Sequence, residues 1–183
     1  MLANLYLHHF EHMFRQTFVT GQEFTYIYRY IDDLLWISMD GYYIDLGTIY
    51  PEELQINKVN MDVNKADYLD LHLFKSENKI VSKIFDKRRM YSFDILGLPS
   101  PDSVVSKKLV GNVMNSQFLR YSNVCTFASD FVDNCQLFNQ KLSTNGYDKI
   151  QIMKLVKVFF HKHSKIFDKF KIEDVNKLFE STP

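Results

Sequence analysis

Two adjacent carboxylates, Asp32 and Asp33, lie between two strand-like apolar runs, and this stretch constrains the chain more than any other. Residues 23–30 are rich in aromatic and β-branched side chains, and residues 34–39 are almost wholly apolar. The pattern predicts a strand, a tight turn and a second strand. Neighbouring side chains of a continuous strand point to opposite faces, whereas a turn lets both carboxylates face one small volume.

Two like charges held this close repel each other strongly unless a cation lies between them. The pair therefore favours a divalent metal site, and Mg²⁺ is the natural occupant because it prefers oxygen ligands. An acidic β-turn without chemistry is the alternative, because aspartate is a favoured turn residue. The hairpin sequence alone leaves both interpretations open.

The composition sets broad limits on the class of protein. The chain has 183 residues, of which 46% are hydrophobic and 15% aromatic, and its formal net charge is +0. This length suits one domain, or one domain with a small appendage, and the charge argues neither for nor against a nucleic-acid partner. No stretch reaches the roughly 20 apolar residues of a membrane span, and the first residues lack a secretory signal pattern. We therefore expect an intracellular protein, nuclear or cytoplasmic, without a membrane partner.

The cysteines and histidines indicate no second metal site. Cys125 and Cys135 have neither the spacing of a disulfide framework nor that of a metal site, and free thiols fit a reducing compartment. His8 and His12 have the i, i+4 spacing of a helical metal pair. No third ligand is evident in the sequence, so surface histidines are the expected interpretation.

The first part of the chain predicts one helix and several short strands. Apolar residues recur at helical spacing through residues 1–18. The hairpin around Asp32 and Asp33 follows, and then a short helix or loop that begins near Tyr50. Alternating apolar and polar residues predict three further strands, the last two forming a hairpin, at residues 54–60, 67–74 and 79–85.

The second part predicts helices. Residues 97–103 contain two prolines and one glycine, which interrupt regular structure and mark a linker. Helices are expected after it at residues 104–121, 126–142, 149–162 and 172–180. The predicted class is α+β, with a mixed part at residues 1–96, the linker at 97–103 and a helical part at 104–183.

Several short motifs occur in the order that is typical of reverse transcriptases. Tyr30-Ile31-Asp32-Asp33 inside a hairpin resembles the Tyr-x-Asp-Asp motif of these RNA-directed DNA polymerases. Residues 2–11 resemble the helix that precedes the hairpin, and residues 50–57 resemble the segment that follows it. The resemblance is spread in order over most of the chain.

Motifs further along resemble the Penelope-like group of these enzymes. Tyr68-Leu69-Asp70-Leu71 is similar to the group's Phe-Leu-Asp-Leu type of motif, which opens the hairpin that grips the primer. Residues 85–88 are similar to its aromatic-x-Lys element, and residues 120–122 and 145–147 are similar to parts of its thumb helices. The resemblance implies a partial polymerase palm, built of antiparallel hairpins and one long helix, followed by an α-helical thumb.

The chemistry that the resemblance implies is nucleotidyl transfer from a deoxynucleoside triphosphate to a primer end on an RNA template. Two Mg²⁺ ions about 4 Å apart would stabilise the attacking and leaving oxygens. Asp32, and after it Asp33, would bind metal, and Lys58 would act as a general acid toward pyrophosphate. Tyr30 would lie beside the primer end, and residues 69–85 would grip the primer.

Other residues would bind the duplex of RNA template and DNA primer. Leu69 and Asp70 belong to the implied primer grip. Basic side chains would contact the phosphates: Lys87, Arg88, Arg89, Lys107, Lys108 and Arg120. The basic run at 87–89 also fits a solvated surface after an edge strand, and the sequence does not decide between the two.

The chain departs from the family at its beginning. The family's first catalytic aspartate, its fingers and its nucleotide-binding residues precede the region that this chain resembles. We therefore expect a fragment, or a separately encoded piece, of a retroelement reverse transcriptase that does not polymerise DNA alone. It would need its missing half or self-association, and it should carry an unpaired strand edge or an uncovered apolar face.

Two other interpretations remain open from the sequence. The chain could be a domesticated remnant that binds nucleic acid or protein without catalysis, through its basic helical part. Alternatively, the Asp32–Asp33 turn could be structural, in an unrelated α+β interaction domain.

Overall fold

A computed structural model describes residues 2–16, 26–38, 45–59, 62–92, 97–104, 107–171 and 173. The chain divides into two compact units, residues 1–69 and residues 70–183. In these described ranges the protein is mixed α+β, with helices and small antiparallel sheets, as the sequence predicts. None of the helices in the same ranges is long and apolar enough to cross a membrane.

The first unit contains one long helix and the predicted hairpin. A short 3₁₀ helix spans Leu46–Thr48. The regular elements of the unit are α1 (Leu2–Gln16), β1 (Tyr26–Tyr30), β2 (Asp33–Ile37) and β3 (Lys65–Tyr68). β1 and β2 pair antiparallel, with Tyr26 opposite Ile37 and Tyr30 opposite Asp33.

The core of the first unit lies on one face of this hairpin. Ile49 and Tyr50 are buried at its centre, and apolar side chains of α1, β1, β2 and the 3₁₀ helix pack around them: Leu7, Phe10, Phe14, Ile27, Leu34, Trp36 and Leu46. β1 alternates strictly between half-buried and exposed residues. Since alternate strand residues share a face, the helix covers one side of the hairpin and leaves the other to solvent.

The second unit joins the other predicted hairpin to the helices. Its elements are β4 (Leu71–Ser76), β5 (Lys79–Ile84), α2 (Lys107–Val124), α3 (Ala128–Thr144), α4 (Lys149–Lys162) and α5 (Ile166–Lys169), with a 3₁₀ helix at Lys87–Met90. α4 begins with a capping box, in which Asp148 accepts a hydrogen bond from the Gln151 backbone and the Gln151 side chain accepts one from the Asp148 backbone.

Aromatic residues of three helices form the core of the second unit. The ring of Phe118 on α2 lies 5.8 Å from that of Phe138 and 5.2 Å from that of Phe159, both edge to face. Such edge-to-face pairs add to the hydrophobic gain of burial. Phe118 and Phe131 are fully buried, so the helices pack around a continuous aromatic centre.

The hairpin β4–β5 belongs to this helical core. Val81 and Ile84 are buried, and Ile84 is part of the same apolar cluster as the helices. Thr126, between α2 and α3, pairs with the outer edge of β5: its backbone N–H donates to the Ser82 carbonyl at 2.9 Å, and its hydroxyl accepts from the Ser82 N–H at 3.0 Å. The compact units therefore divide at Leu69, whereas the sequence predicts a division at the linker 97–103.

Two predicted strands differ from the structure. The described residues 54–59 form neither helix nor strand, so the strand prediction at 54–60 is wrong there. Leu54, Ile56 and Val59 are exposed, and alternation favours a strand only where a neighbouring strand and a buried face accept it. The single strand predicted at 67–74 is also wrong, because the left-handed backbone of Leu69 (φ 55°) separates β3 from β4.

The long helices are close to their predictions. The helices predicted at 104–121, 126–142 and 149–162 correspond to α2, α3 and α4. The short helix α5 is not predicted by the sequence. The helix predicted at 172–180 lies outside the described residues, apart from residue 173.

We predict that Phe118→Ala destabilises the second unit by about 3–5 kcal/mol, because the surrounding helices cannot close the cavity that a lost ring leaves. Urea unfolding followed by far-UV circular dichroism measures the change in free energy. Phe127→Ala is the matched control, because Phe127 is 47% exposed. Equal losses for the two variants would contradict a core centred on Phe118.

Candidate active-site turn

The two adjacent carboxylates lie at the tip of the β1–β2 hairpin. The Tyr30–Asp33 pair closes a two-residue turn made of Ile31 and Asp32. Ile31 has a left-handed backbone, with φ of 57°, which is a rare conformation for a β-branched residue. Such a conformation is unfavourable by about 1–2 kcal/mol for an L-residue, so the rest of the structure must hold it in place.

The outward face of the hairpin is aromatic and acidic. Asp33 shares this face with Tyr30, since the two are cross-strand partners. Three tyrosines on β1 are each more than half exposed: Tyr26, Tyr28 and Tyr30. The rings of Tyr26 and Tyr28 are stacked with their centroids 6.4 Å apart. This uncovered aromatic face agrees with the predicted open apolar surface.

Asp32 and Asp33 are both exposed. In the part of the chain that the structure describes, neither carboxylate forms a hydrogen bond or an ion pair. Burial is the main cause of the raised pKa of the Tyr68 phenol, and the negative charge of Asp33 contributes to it. Two unneutralised carboxylates on neighbouring residues have the donor chemistry that a hard divalent cation requires.

The inward face of the hairpin carries a nearly buried ion pair. The side chains of Arg29 on β1 and Glu11 on α1 are only 13% and 17% exposed, and Arg29 Nε donates to Glu11 Oε1. Arg29 Nη1 donates to the Asn4 side-chain oxygen at 3.0 Å and to the carbonyl oxygen of Ile31 at 3.1 Å. The strained turn residue is therefore tied to α1 through one guanidinium.

Tyr50 completes the network. Its hydroxyl donates to Glu11 Oε1 at 2.9 Å. Burial raises the pKa of Glu11, but the hydrogen bonds from Arg29 and Tyr50 outweigh burial, so the net pKa lies below its ordinary value. The hydrogen bond to Glu11 raises the pKa of Arg29. Burial is the main cause of the raised pKa of Tyr50, and the hydrogen bond to Glu11 adds to it. At neutral pH the network therefore holds a carboxylate, a guanidinium and a neutral phenol.

The two carboxylates that the sequence predicts as metal ligands, Asp32 and Asp33, lie at this turn. Asp32 and Asp33 could hold Mg²⁺ through their carboxylate oxygens. Among the described residues there is no group of three or more histidine, cysteine, aspartate or glutamate side chains that could hold a metal ion. Lys58, the predicted general acid, lies in the irregular stretch after Tyr50 and forms no ion pair with Asp32 or Asp33.

Three of the predicted phosphate-binding arginines are engaged within the protein. Arg88 forms two hydrogen bonds with Asp86, at 2.8 and 2.9 Å, and these lower the pKa of that carboxyl. Arg89 donates to the Asn134 side chain on α3 at 2.7 Å. Arg120 forms an ion pair with Asp70, so two predicted nucleic-acid contacts bind each other.

The remaining predicted nucleic-acid contacts are three lysines and Leu69. Lys87 and Lys108 are exposed, at the start of a 3₁₀ helix and near the start of α2 respectively, and α2 begins at Lys107. Leu69 occupies the left-handed turn position between β3 and β4.

His8 and His12 are both exposed, whereas the two cysteines are buried. His8 and His12 have ring centroids 6.4 Å apart, and in the described ranges no third ligand joins them. Cys125 and Cys135 are free and buried, and burial raises the pKa of both thiols.

The sequence prediction omits Glu11, Arg29 and Tyr50 as site residues. One signal could have found them. Arg29 occupies an inward position of an alternating strand, between Ile27 and the turn, and a buried arginine requires an acidic partner. The position of that partner in α1 depends on tertiary packing and cannot be read from β1.

Comparisons of this chain with protein-family models, with curated proteins and with solved structures find no match.

We predict that Ile31→Gly stabilises the first unit by about 0.5–1 kcal/mol. Glycine adopts positive φ without strain, and this gain exceeds the entropy that glycine adds to the unfolded chain. Urea unfolding followed by the fluorescence of Trp36, the one tryptophan of the chain, measures the effect.

Val59→Gly is the control for this substitution. Val59 is 88% exposed and has no left-handed backbone, so the same replacement should destabilise the unit or leave it unchanged. A loss of stability in Ile31→Gly equal to that of the control would contradict strain at Ile31.

Proposed function

We propose that this chain is part of the palm and thumb of a reverse transcriptase, most similar to the Penelope-like group. In the complete enzyme it would take part in two-metal nucleotidyl transfer to a primer on an RNA template. The proposal is supported most by the tip of the β1–β2 hairpin. There a left-handed turn presents two unpaired carboxylates beside an exposed tyrosine, in the order Tyr30-Ile31-Asp32-Asp33.

Strain at this turn supports a functional interpretation. A plain acidic turn has no reason to place isoleucine at positive φ, where glycine or asparagine is favoured. Strained backbone conformations cluster at functional sites, where the surrounding structure holds them. The buried Arg29–Glu11 pair below the turn is such a surrounding structure.

Asp32 and Asp33 would hold Mg²⁺, with Asp32 as the main ligand. Bound there, the metal supplies charge stabilisation for the attacking and leaving oxygens of the transfer. Tyr30 lies on the same face as Asp33 and offers an exposed ring against which the sugar or base at the primer end could stack.

The second unit would contribute the primer grip and the thumb. The hairpin β4–β5 packs on the helical core through Ile84, which fits a rigid element for holding a duplex. Lys87 is exposed, whereas Arg88 and Arg89 bind acceptors within the protein. Lysines would therefore make the first phosphate contacts.

A protein partner would cover the aromatic face of β1. The exposed rings of Tyr26, Tyr28 and Tyr30 form an apolar surface next to the carboxylates, and such surfaces mark interaction sites. A separate palm segment, or a second copy of this chain, would supply the third metal-binding carboxylate.

We predict that the full chain binds Mn²⁺, used as a spectroscopically visible substitute for Mg²⁺, through the hairpin tip. Asp32→Asn should weaken binding by more than about 100-fold and Asp33→Asn by about 10-fold or more, since even indirect support of a ligand is worth about 10–100-fold. Electron paramagnetic resonance of free Mn²⁺ measures the affinity.

Glu53→Gln is the matched control, because Glu53 is an exposed carboxylate of the same unit outside the hairpin. Its affinity should equal that of the wild type. If both aspartate variants bind Mn²⁺ as the wild type does, the hairpin is not a metal site and the proposed function is wrong.

We predict that the chain binds a duplex of RNA template and DNA primer without extending it. The logarithm of the binding constant should fall by about 0.7–0.9 per contacted phosphate with the logarithm of salt concentration. Lys87→Gln should reduce this slope by about 1. Lys154→Gln on α4, outside the predicted phosphate set, is the charge-matched control and should retain the slope.

Fluorescence anisotropy at several salt concentrations gives the slope, and a primer-extension assay with Mg²⁺ or Mn²⁺ gives the activity. Absence of duplex binding would favour an unrelated interaction domain. Template-dependent extension by the chain alone would show that the active site is already complete.

A further inference from the structure

We infer that Arg29 is the positioning residue of the Asp32–Asp33 turn: its guanidinium holds the Ile31 carbonyl and thereby fixes the left-handed backbone that aims both carboxylates. The inference rests on the proposed function only where it concerns cation binding. The claim about the turn itself is independent of any catalytic activity.

Core packing does not account for an arginine at this position. Its neighbours on the inward face of the hairpin are apolar, namely Ile27, Leu34 and Trp36. Replacing a buried ion pair by well-packed apolar residues is often neutral or stabilising. An apolar residue at position 29 would fill the space, but it could not donate a hydrogen bond to the turn.

The hydrogen bonds of Arg29 suit this role. Nε and Nη2 donate to the two oxygens of Glu11, and Nη1 and Nη2 donate to the side chain and backbone of Asn4. The remaining Nη1 hydrogen bond goes to Ile31 O at 3.1 Å. The planar guanidinium fixes these directions relative to one another, so α1 determines where the Ile31 carbonyl lies.

Glu11 is itself held from a second side. Tyr50, which is only 7% exposed, donates to the same carboxylate oxygen that accepts from Arg29 Nε. Tyr50 also lies at the centre of the apolar cluster that includes three residues of α1. The chain of contacts from core to turn is therefore continuous: Tyr50, Glu11, Arg29 and the Ile31 carbonyl.

The strand register also places the side chains of Arg29 and Asp33 on different faces of the hairpin. Asp33 is the partner of Tyr30, and Tyr30 and its neighbour Arg29 point to opposite faces of the strand. Glu11 neutralises the guanidinium. Arg29 can thus support the turn without acting as the counter-ion of Asp32 and Asp33, which leaves them available to a cation.

Loss of the guanidinium should release the turn. A left-handed isoleucine persists only where its surroundings impose it, so Ile31 should relax to negative φ and the two carboxylates should separate. Supporting residues of metal sites typically contribute about 10–100-fold to metal affinity. We expect an effect of that size on Mn²⁺ binding by the full chain.

The test uses the full chain and two independent readouts. Arg29→Lys keeps the charge but cannot donate to Glu11, Asn4 and Ile31 together, and Arg15→Gln removes an exposed arginine of α1 as the control. Electron paramagnetic resonance gives Mn²⁺ affinity. The intraresidue amide-to-Hα nuclear Overhauser effect of Ile31, which is strong only at positive φ, reports the turn without metal.

Arg29→Lys should lose the strong Overhauser effect and about 10–100-fold in Mn²⁺ affinity, while Arg15→Gln should change neither. Retention of the Overhauser effect in Arg29→Lys would overturn the inference, whatever the metal result. If Arg29→Lys does not fold, the double variant Glu11→Gln with Arg29→Gln removes both buried charges and is judged by the same Overhauser effect. A wild-type chain that binds no Mn²⁺ would overturn the proposed function, and the Overhauser effect alone would then decide the role of Arg29.

Discussion

The hydrogen bond from the Arg29 guanidinium to the Ile31 carbonyl is the contact on which the hairpin tip depends. An isoleucine at positive φ is unstable in isolation, and the two-residue turn it forms is what brings Asp32 and Asp33 out of the strand alternation. The ion pair with Glu11 makes it possible for a guanidinium to lie below an apolar hairpin. Local strain, a buried charge and the exposure of two carboxylates are therefore parts of a single arrangement.

A second turn also combines a left-handed apolar residue with an arginine contact. Leu69, like Ile31, is left-handed, and the residue after it, Asp70, pairs with Arg120 while its carbonyl accepts a hydrogen bond from the Phe85 backbone at 2.8 Å. In both turns a large apolar residue takes a conformation that suits glycine, and an arginine from a regular element holds the adjoining backbone or side chain. Arg29 and Arg120 thus have a structural role that their sequence context does not reveal.

The sequence predicts those helices and strands whose apolar periodicity matches the face that they bury. The helices α2, α3 and α4 and both hairpins follow from periodicity, because each buries one face. Residues 54–59 alternate without a partner, and so they form no strand. Leu69 interrupts an alternating run. The turn there depends on contacts that Phe85 and Arg120, which are distant in sequence, make with Asp70. For the site, the adjacent carboxylates could be predicted, whereas the Glu11–Arg29 support could not, because it joins residues whose spacing carries no periodic signal.

The arginines and lysines of this chain differ in their contacts, and this difference bears on how the chain could contact a nucleic acid. Arginine has a rigid set of donors that suits fixed acceptors, and Arg29, Arg88 and Arg89 all donate to side chains within the protein. Lys87, by contrast, is exposed, and a lysine is a mobile point charge that meets phosphates without demanding a particular geometry. Binding built on such lysines would track the charge of a duplex and ignore its sequence. Under the proposed function, contacts of that kind would let the chain hold a duplex of any sequence.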